Sequence, residues 1–184
     1  ADPRDVGGVM YDLGAHLVDQ ALVLFGPASG VYAERRVLRP GAQVDDECFI
    51  ALTHENGVQS HLSMSLLCAA PGPRFRVLGA EAAFVKYGLD PQEEALRAGA
   101  VPGGADWGAE PEAQFGALHQ GETRRIIASA RGDYPALYTA LARAIQTGAA
   151  APVAAAEAIA ALHILEAAAQ SARTGETISL RASG

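Results

Sequence analysis

Long apolar runs are missing from this 184-residue chain. No stretch approaches the roughly 20 consecutive apolar residues that a membrane-crossing helix requires. The N-terminus also lacks a basic segment followed by an apolar core and a cleavage site, so neither membrane insertion nor secretion is expected. Cysteine is scarce as well. Cys48 and Cys68 are too few for a disulfide framework and do not form a Cys-x-x-Cys metal pair, which makes a reducing cytoplasm the expected setting. Positive charge is in short supply, with 14 Lys and Arg against 21 Asp and Glu and a formal net charge of -7. The densest basic group, Arg35, Arg36 and Arg39, alternates like a solvated strand instead of clustering, and a nucleic-acid surface is excluded.

What remains is the composition of an ordinary globular protein. Hydrophobic residues make up 49% of the chain and charged residues 19%, enough to build a core and too little charge for a disordered polymer. The length fits one compact domain. The chain starts at Ala1 without methionine and reaches Gly7-Gly8 almost at once, which is the expectation for a piece excised from a longer protein.

Hydrophobic periodicity divides the chain into elements. From Val9 to Phe25 the apolar positions Leu13, Leu17, Ala21 and Leu24 recur at helical spacing and stop at Gly26-Pro27. Period-two alternation then predicts strands over Val31–Arg39, Glu47–His54 and Val58–Leu67, the last two joined by an Asn56-Gly57 hairpin turn. A further strand pair is expected around Gly79-Ala80, at 74–78 and 83–87. The stretch Leu89–Gly121 is broken by prolines and glycines and reads as a long connection, functional or mobile, with Trp107 and Phe115 as anchors. Glu122–Ser129 returns as a strand. Helices follow from Pro135 and from just after Pro152, the second rich in alanine, and Ile178 with Leu180 adds a short final strand. The fold class expected is α+β: a predominantly antiparallel open-faced sheet with helices packed on one face.

The segment of greatest chemical interest is Gly7-Gly8-Val9-Met10-Tyr11-Asp12-Leu13-Gly14-Ala15-His16-Leu17-Val18-Asp19-Gln20. At about 100° per residue, Asp12, His16 and Asp19 share one narrow sector of the helix. Histidine is the side chain whose ordinary pKa lies nearest neutrality, so a positioned one can exchange a proton with a substrate hydroxyl, and a neighbouring carboxylate can orient it. Gly14 costs a helix interior about 1 kcal/mol relative to alanine, which points to close packing against its backbone. The same spacing also fits an ordinary ion pair, and Asp12, His16 and Asp19 could in principle face a divalent ion. No further ligand cluster is apparent, and no metal is expected. His54 and His61 read as solvent-facing strand residues, His119 and His163 as partly buried ones, and Cys48 and Cys68 as small core hydrophobes.

That segment resembles the one opening the C-terminal domain of Gfo/Idh/MocA oxidoreductases, the family of glucose-fructose oxidoreductase and inositol dehydrogenase. Phe84-Val85-Lys86-Tyr87-Gly88-Leu89-Asp90-Pro91-Gln92-Glu93 resembles a segment of one bacterial branch, and the closing Pro152-Val153, helix and Gly175 are also similar. The resemblance implies a substrate pocket lined by Asp12 and His16, with His16 moving the proton, Asp12 its partner, and Asp19 supporting the helix. It extends the substrate contacts to Lys86 and Tyr87. It further implies NAD or NADP as cofactor of a full-length enzyme acting on a sugar, polyol or related carbonyl compound, and a homodimer or tetramer formed through the sheet face.

The family's N-terminal Rossmann domain, with its Gly-rich phosphate loop and Glu-Lys-Pro motif, is absent from these 184 residues. The glycine run Gly99–Gly104 lacks the strand-to-helix setting of a dinucleotide fingerprint, so this chain alone is expected to bind no cofactor and to be inactive. The missing Rossmann domain is therefore an expected partner. The competing expectation is a non-catalytic oligomerisation or ligand-binding module; a metal-dependent hydrolase built on the same helix is the third.

Overall fold

The computed structural model describes residues 7–104 and 106–180. The fold is α+β, with two four-stranded antiparallel sheets, one ordered 59–65, 47–54, 28–36, 178–179 and the other 75–78, 83–86, 116–120, 123–127. Length alone suggests one compact unit, but the contacts divide the chain into two, residues 1–69 with 153–184, and residues 70–152. No described helix is long and apolar enough to cross a membrane.

The first unit opens with α1 (Val9–Phe25), followed by β1 (Ala28–Arg36), β2 (Glu47–His54) and β3 (Gln59–Ser65). After the second unit the chain returns as α4 (Ala155–Thr174) and β8 (Ile178–Ser179). Alternation along the strands sends Val31, Ala33, Ile50, Leu52 and Met64 to one face, where they are buried with Val18 of α1 and Leu165 of α4. The alanines of α4 have a structural purpose: Ala161, Ala168 and Ala169 are buried, and their small side chains let the helix approach its neighbours closely. Ser171, fully buried on the same helix, accepts a hydrogen bond from the Ala33 N–H and donates to the Glu176 carbonyl, stitching helix to sheet.

Ile50, Leu52 and Met64 lie buried on the helix side, with Leu62 half-buried beside them. The opposite face carries Tyr32, Glu34, Phe49, Ala51, His61 and Ser63, a mixed surface where the Phe49 and His61 rings meet at a tilt of 58° with centroids 5.7 Å apart. A one-residue choice of register decides which set faces the core, because successive side chains point to opposite sides.

His54, His119, His163 and Cys68 depart from expectation, whereas His61 is exposed and Cys48 buried as expected. His54 is buried, its Nδ1 2.7 Å from the Gly26 carbonyl and its Nε2 2.9 Å from the Ser60 hydroxyl. A carbonyl only accepts, so Nδ1 carries the proton of that bond. His119 and His163 are exposed instead of partly buried. Cys48 is a core residue whose thiol is pushed up to about 12 by burial and then by the charge of Asp45, whereas Cys68 is exposed.

In the second unit β4 (Phe75–Leu78) and β5 (Ala83–Lys86) form the expected pair. The long connection is more ordered than its composition predicts. It holds a short helix, α2 (Gln92–Arg97), a 3-10 turn at Glu112–Gln114 and a strand, β6 (Gly116–Gln120), that pairs with both β5 and β7 (Thr123–Ile127). Helix α3 (Tyr134–Thr147) closes the unit, capped by the Asp133 side chain.

Gln92, almost fully buried, organises the connection. Its amide nitrogen donates to Asp90, while its oxygen accepts from the Trp107 indole and the Tyr134 N–H, each at 2.8 Å.

Candidate functional site

The site is built on α1, and its orientation follows from what the other side of that helix buries. Beyond Val9 at its first position, which is also buried, the helix buries Met10, Gly14, Val18 and Ala21, whereas Leu13 and Leu24 of the expected apolar stripe are exposed. At about 100° per residue the buried set centres roughly 180° from Asp12, His16 and Asp19. Gly14 explains the rotation. A Cβ at this position would stand 3.3 Å from Leu165, 3.4 Å from the Met64 sulfur and 3.9 Å from Ile50, so the backbone is drawn to where strand and α4 side chains converge.

Asp12 and His16 therefore sit one turn apart on the outward face. Their Cβ atoms are about 5–6 Å apart by helix geometry, close enough for their side chains to act on one substrate group. Asp12, His16 and Asp19 are all exposed, and none has a side-chain hydrogen bond or ion pair with another described residue. An ordinary ion pair, the alternative the spacing allowed, is not formed. Asp19, expected to support the helix, makes no such supporting bond. Among the described residues no three His, Cys, Asp or Glu side chains converge as a metal site would require.

Lys86 and Tyr87 belong to the second unit. Tyr87 is exposed. Lys86 ends β5 and is committed locally: Nζ lies 2.5 Å from Glu110 Oε1 and 3.0 Å from the Gln114 carbonyl. Glu110 in turn accepts the Ser129 hydroxyl hydrogen. With its ammonium directed to a buried carboxylate and a backbone carbonyl, Lys86 clamps the long connection to the end of β5. A substrate contact would require it to give up that pair.

Two residues that sequence reasoning passed over hold the site helix in place. An α-helix leaves its opening N–H groups without internal carbonyls, and the N-cap Gly8 has no side chain to satisfy them. Asp45, buried in the β1–β2 connection, does so from 35 residues away: its backbone oxygen accepts the Val9 N–H at 3.0 Å and its Oδ2 the Met10 N–H at 2.8 Å. Arg35 lies 3.7 Å from the other carboxylate oxygen. Asp46 pins the connection itself, accepting from the Leu38 and Arg39 N–H groups and from the Arg39 guanidinium. Those bonds, the Arg39 N–H first, hold the Asp46 carboxyl below the usual range. The legible signal was a helix beginning on glycine, which demands a cap from elsewhere.

Comparison with known proteins bears on this geometry. The sequence profile of the Gfo/Idh/MocA family, described as the oxidoreductase family's C-terminal alpha/beta domain, matches residues 1–180. The chain belongs to this family. Over 177 residues it is 38% identical to the scyllo-inositol 2-dehydrogenase (NADP(+)) IolW of Bacillus subtilis, covering 94% of this chain and 49% of that protein. It is 36% identical over 176 residues to the uncharacterized oxidoreductase YdgJ of Escherichia coli, with coverage of 94% and 50%. The solved structure of the oxidoreductase YvaA from Bacillus subtilis superposes with a TM-score of 0.89 at 37% identity, over 95% of this chain and 51% of the other. The chain thus spans about half the length of these relatives.

Proposed function

We propose that this chain is the substrate-facing and subunit-contacting part of an NAD(P)-dependent oxidoreductase that acts at a hydroxyl-bearing carbon of a sugar or polyol. The observation that carries the reading is the pair Asp12 and His16, adjacent, exposed and without partners among the described residues, on a helix whose opposite face is anchored in the core. The 38% identity with a protein named as an inositol dehydrogenase gives the polyol class its support. When the substrate hydroxyl becomes a carbonyl its proton must leave, and His16 is the group placed to take it, with Asp12 orienting the imidazole and stabilising its charged form.

The residues of this chain do not fit a dinucleotide. Every strand pairing described is antiparallel, and no glycine-rich turn leads from a parallel strand into a helix. The cofactor therefore belongs to the half of the polypeptide outside this chain. Fluorescence titration of the 184-residue chain with NADH and NADPH is expected to show no saturable binding, and no turnover of inositols in their presence. Saturable binding at micromolar cofactor would overturn the assignment. With the full-length protein, a screen of scyllo-inositol, myo-inositol and simple aldoses against NAD+ and NADP+ should give turnover with at least one pair, and complete inactivity would remove the reading.

Subunit contact through the first sheet rests on Tyr32, Phe49, Ala51 and His61 of its outer face, since the aliphatic set is turned inward. Phe49→Asp is expected to shift the assembly toward monomer in sedimentation, and an unchanged assembly would place the contact elsewhere.

A further inference from the structure

We infer that Asp45 is a positioning residue for the reaction: it fixes the first turn of α1 and thereby the direction in which Asp12 points. The inference rests on the Asp12 and His16 reading above. Three observations meet at one place. Asp45 takes both of the opening N–H groups described above, one through its main chain and one through its side chain. Gly8 is matched to it, because a Cβ there would overlap the Asp45 carboxylate, and its φ of 113° disfavours any other residue. The helix's internal ladder then begins with the Asp12 N–H bonded to the Gly8 carbonyl at 3.1 Å, so Asp12 is the first residue held by the turn that Asp45 closes.

The carboxylate is itself held from behind. Asp46 ties the connection at Leu38 and Arg39, and its main chain bonds Arg36 and Leu66 across the sheet end. Asp45 therefore reaches α1 from an anchored base rather than a loose loop. A negative charge at a helix N-terminus also suits the helix dipole, which favours the closed first turn. His16, one turn further on, is held by the Gly14 and Val18 packing and depends less on the cap. The consequence is specific: loss of Asp45 acts on the reaction through Asp12.

The test uses the full-length enzyme with scyllo-inositol and NADP+, or the pair from the screen above that supports turnover. Asp45→Ala is expected to lower kcat by about 10- to 100-fold, the scale of a displaced reacting group, with KM little changed. Asp45→Asn, which keeps an oxygen for the Met10 N–H, should recover most of this. In an Asp12→Ala background Asp45→Ala should cost less than about threefold, because the group it positions is already gone. Hydrogen exchange of peptides spanning residues 8–12 should show the first turn opened in Asp45→Ala and closed in Asp45→Asn.

An equal loss from Asp45→Ala in both backgrounds would mean general destabilisation and overturn the inference. So would wild-type kcat in Asp45→Ala. If Asp12→Asn and His16→Ala were themselves fully active while Asp45→Ala still opened the turn, the proposed function would fall, and Asp45 would be a helix cap without a catalytic consequence.

Discussion

Replacement of His16 by alanine in the full-length enzyme is expected to lower kcat by about 10²–10⁴-fold, the usual contribution of a positioned general acid or base. The fold should survive. His16 is exposed and has no hydrogen-bond or ion-pair partner among the described residues, so its truncation removes nothing that the core uses. Asp12→Asn should be milder, since asparagine can still orient the ring while losing the charge that stabilises imidazolium. The double variant should fall well short of the product of the single losses, as groups acting as a unit are strongly non-additive. Steady-state kinetics and circular dichroism on the same preparations decide the matter. Near-normal kcat for His16→Ala across the pH range, or loss of activity only through unfolding, would remove the proton-transfer role.

For stability the largest expected effect lies in the second unit. Glu110→Ala would leave the Lys86 ammonium, 18% exposed, without the carboxylate it pairs with and would strand the Ser129 hydroxyl. Breaking a buried pair by removing one partner costs about 3–5 kcal/mol, and the partial exposure of Lys86 reduces this to about 2–4 kcal/mol. Trp107, the single tryptophan, is hydrogen-bonded to Gln92 within the same connection and reports its unfolding by fluorescence in urea. Removing both charges in Lys86→Met with Glu110→Leu should recover most of the loss, because the desolvation of each ion disappears with it. A Glu110→Ala transition midpoint equal to wild type would show that the clamp contributes nothing. The same experiment bears on the expected substrate contact at Lys86, since a lysine needed to hold its own unit together is poorly placed to reach a substrate.

Much of the architecture was legible because it rests on local rules. The Asn56-Gly57 turn, the alternation of β2 and β3, and the Gly26-Pro27 and Gly175 stops mark their elements through backbone conformations that few other residues adopt. The pairing of Asp12 with His16 was legible for the same reason, since a spacing of four residues on a helix leaves little freedom. Strand β6 escaped because its five residues, Gly116–Gln120, begin with glycine and follow a proline-rich stretch, and what makes them a strand is hydrogen bonding to β5 and β7 on either side.

By itself the sequence determined that the chain is a helix-and-antiparallel-strand protein carrying an acid and a histidine side by side near its start. Only the tertiary structure decided which side of each element faces inward. A strand pattern such as Cys48-Phe49-Ile50-Ala51-Leu52 offers apolar side chains on both faces, so its register is settled by what the helices cover. Helix α1 turns on Gly14 because strand and α4 side chains converge there, and its first turn is closed by Asp45, a residue 35 positions away. Contacts over such separations depend on the whole chain having folded, and no local spacing encodes them.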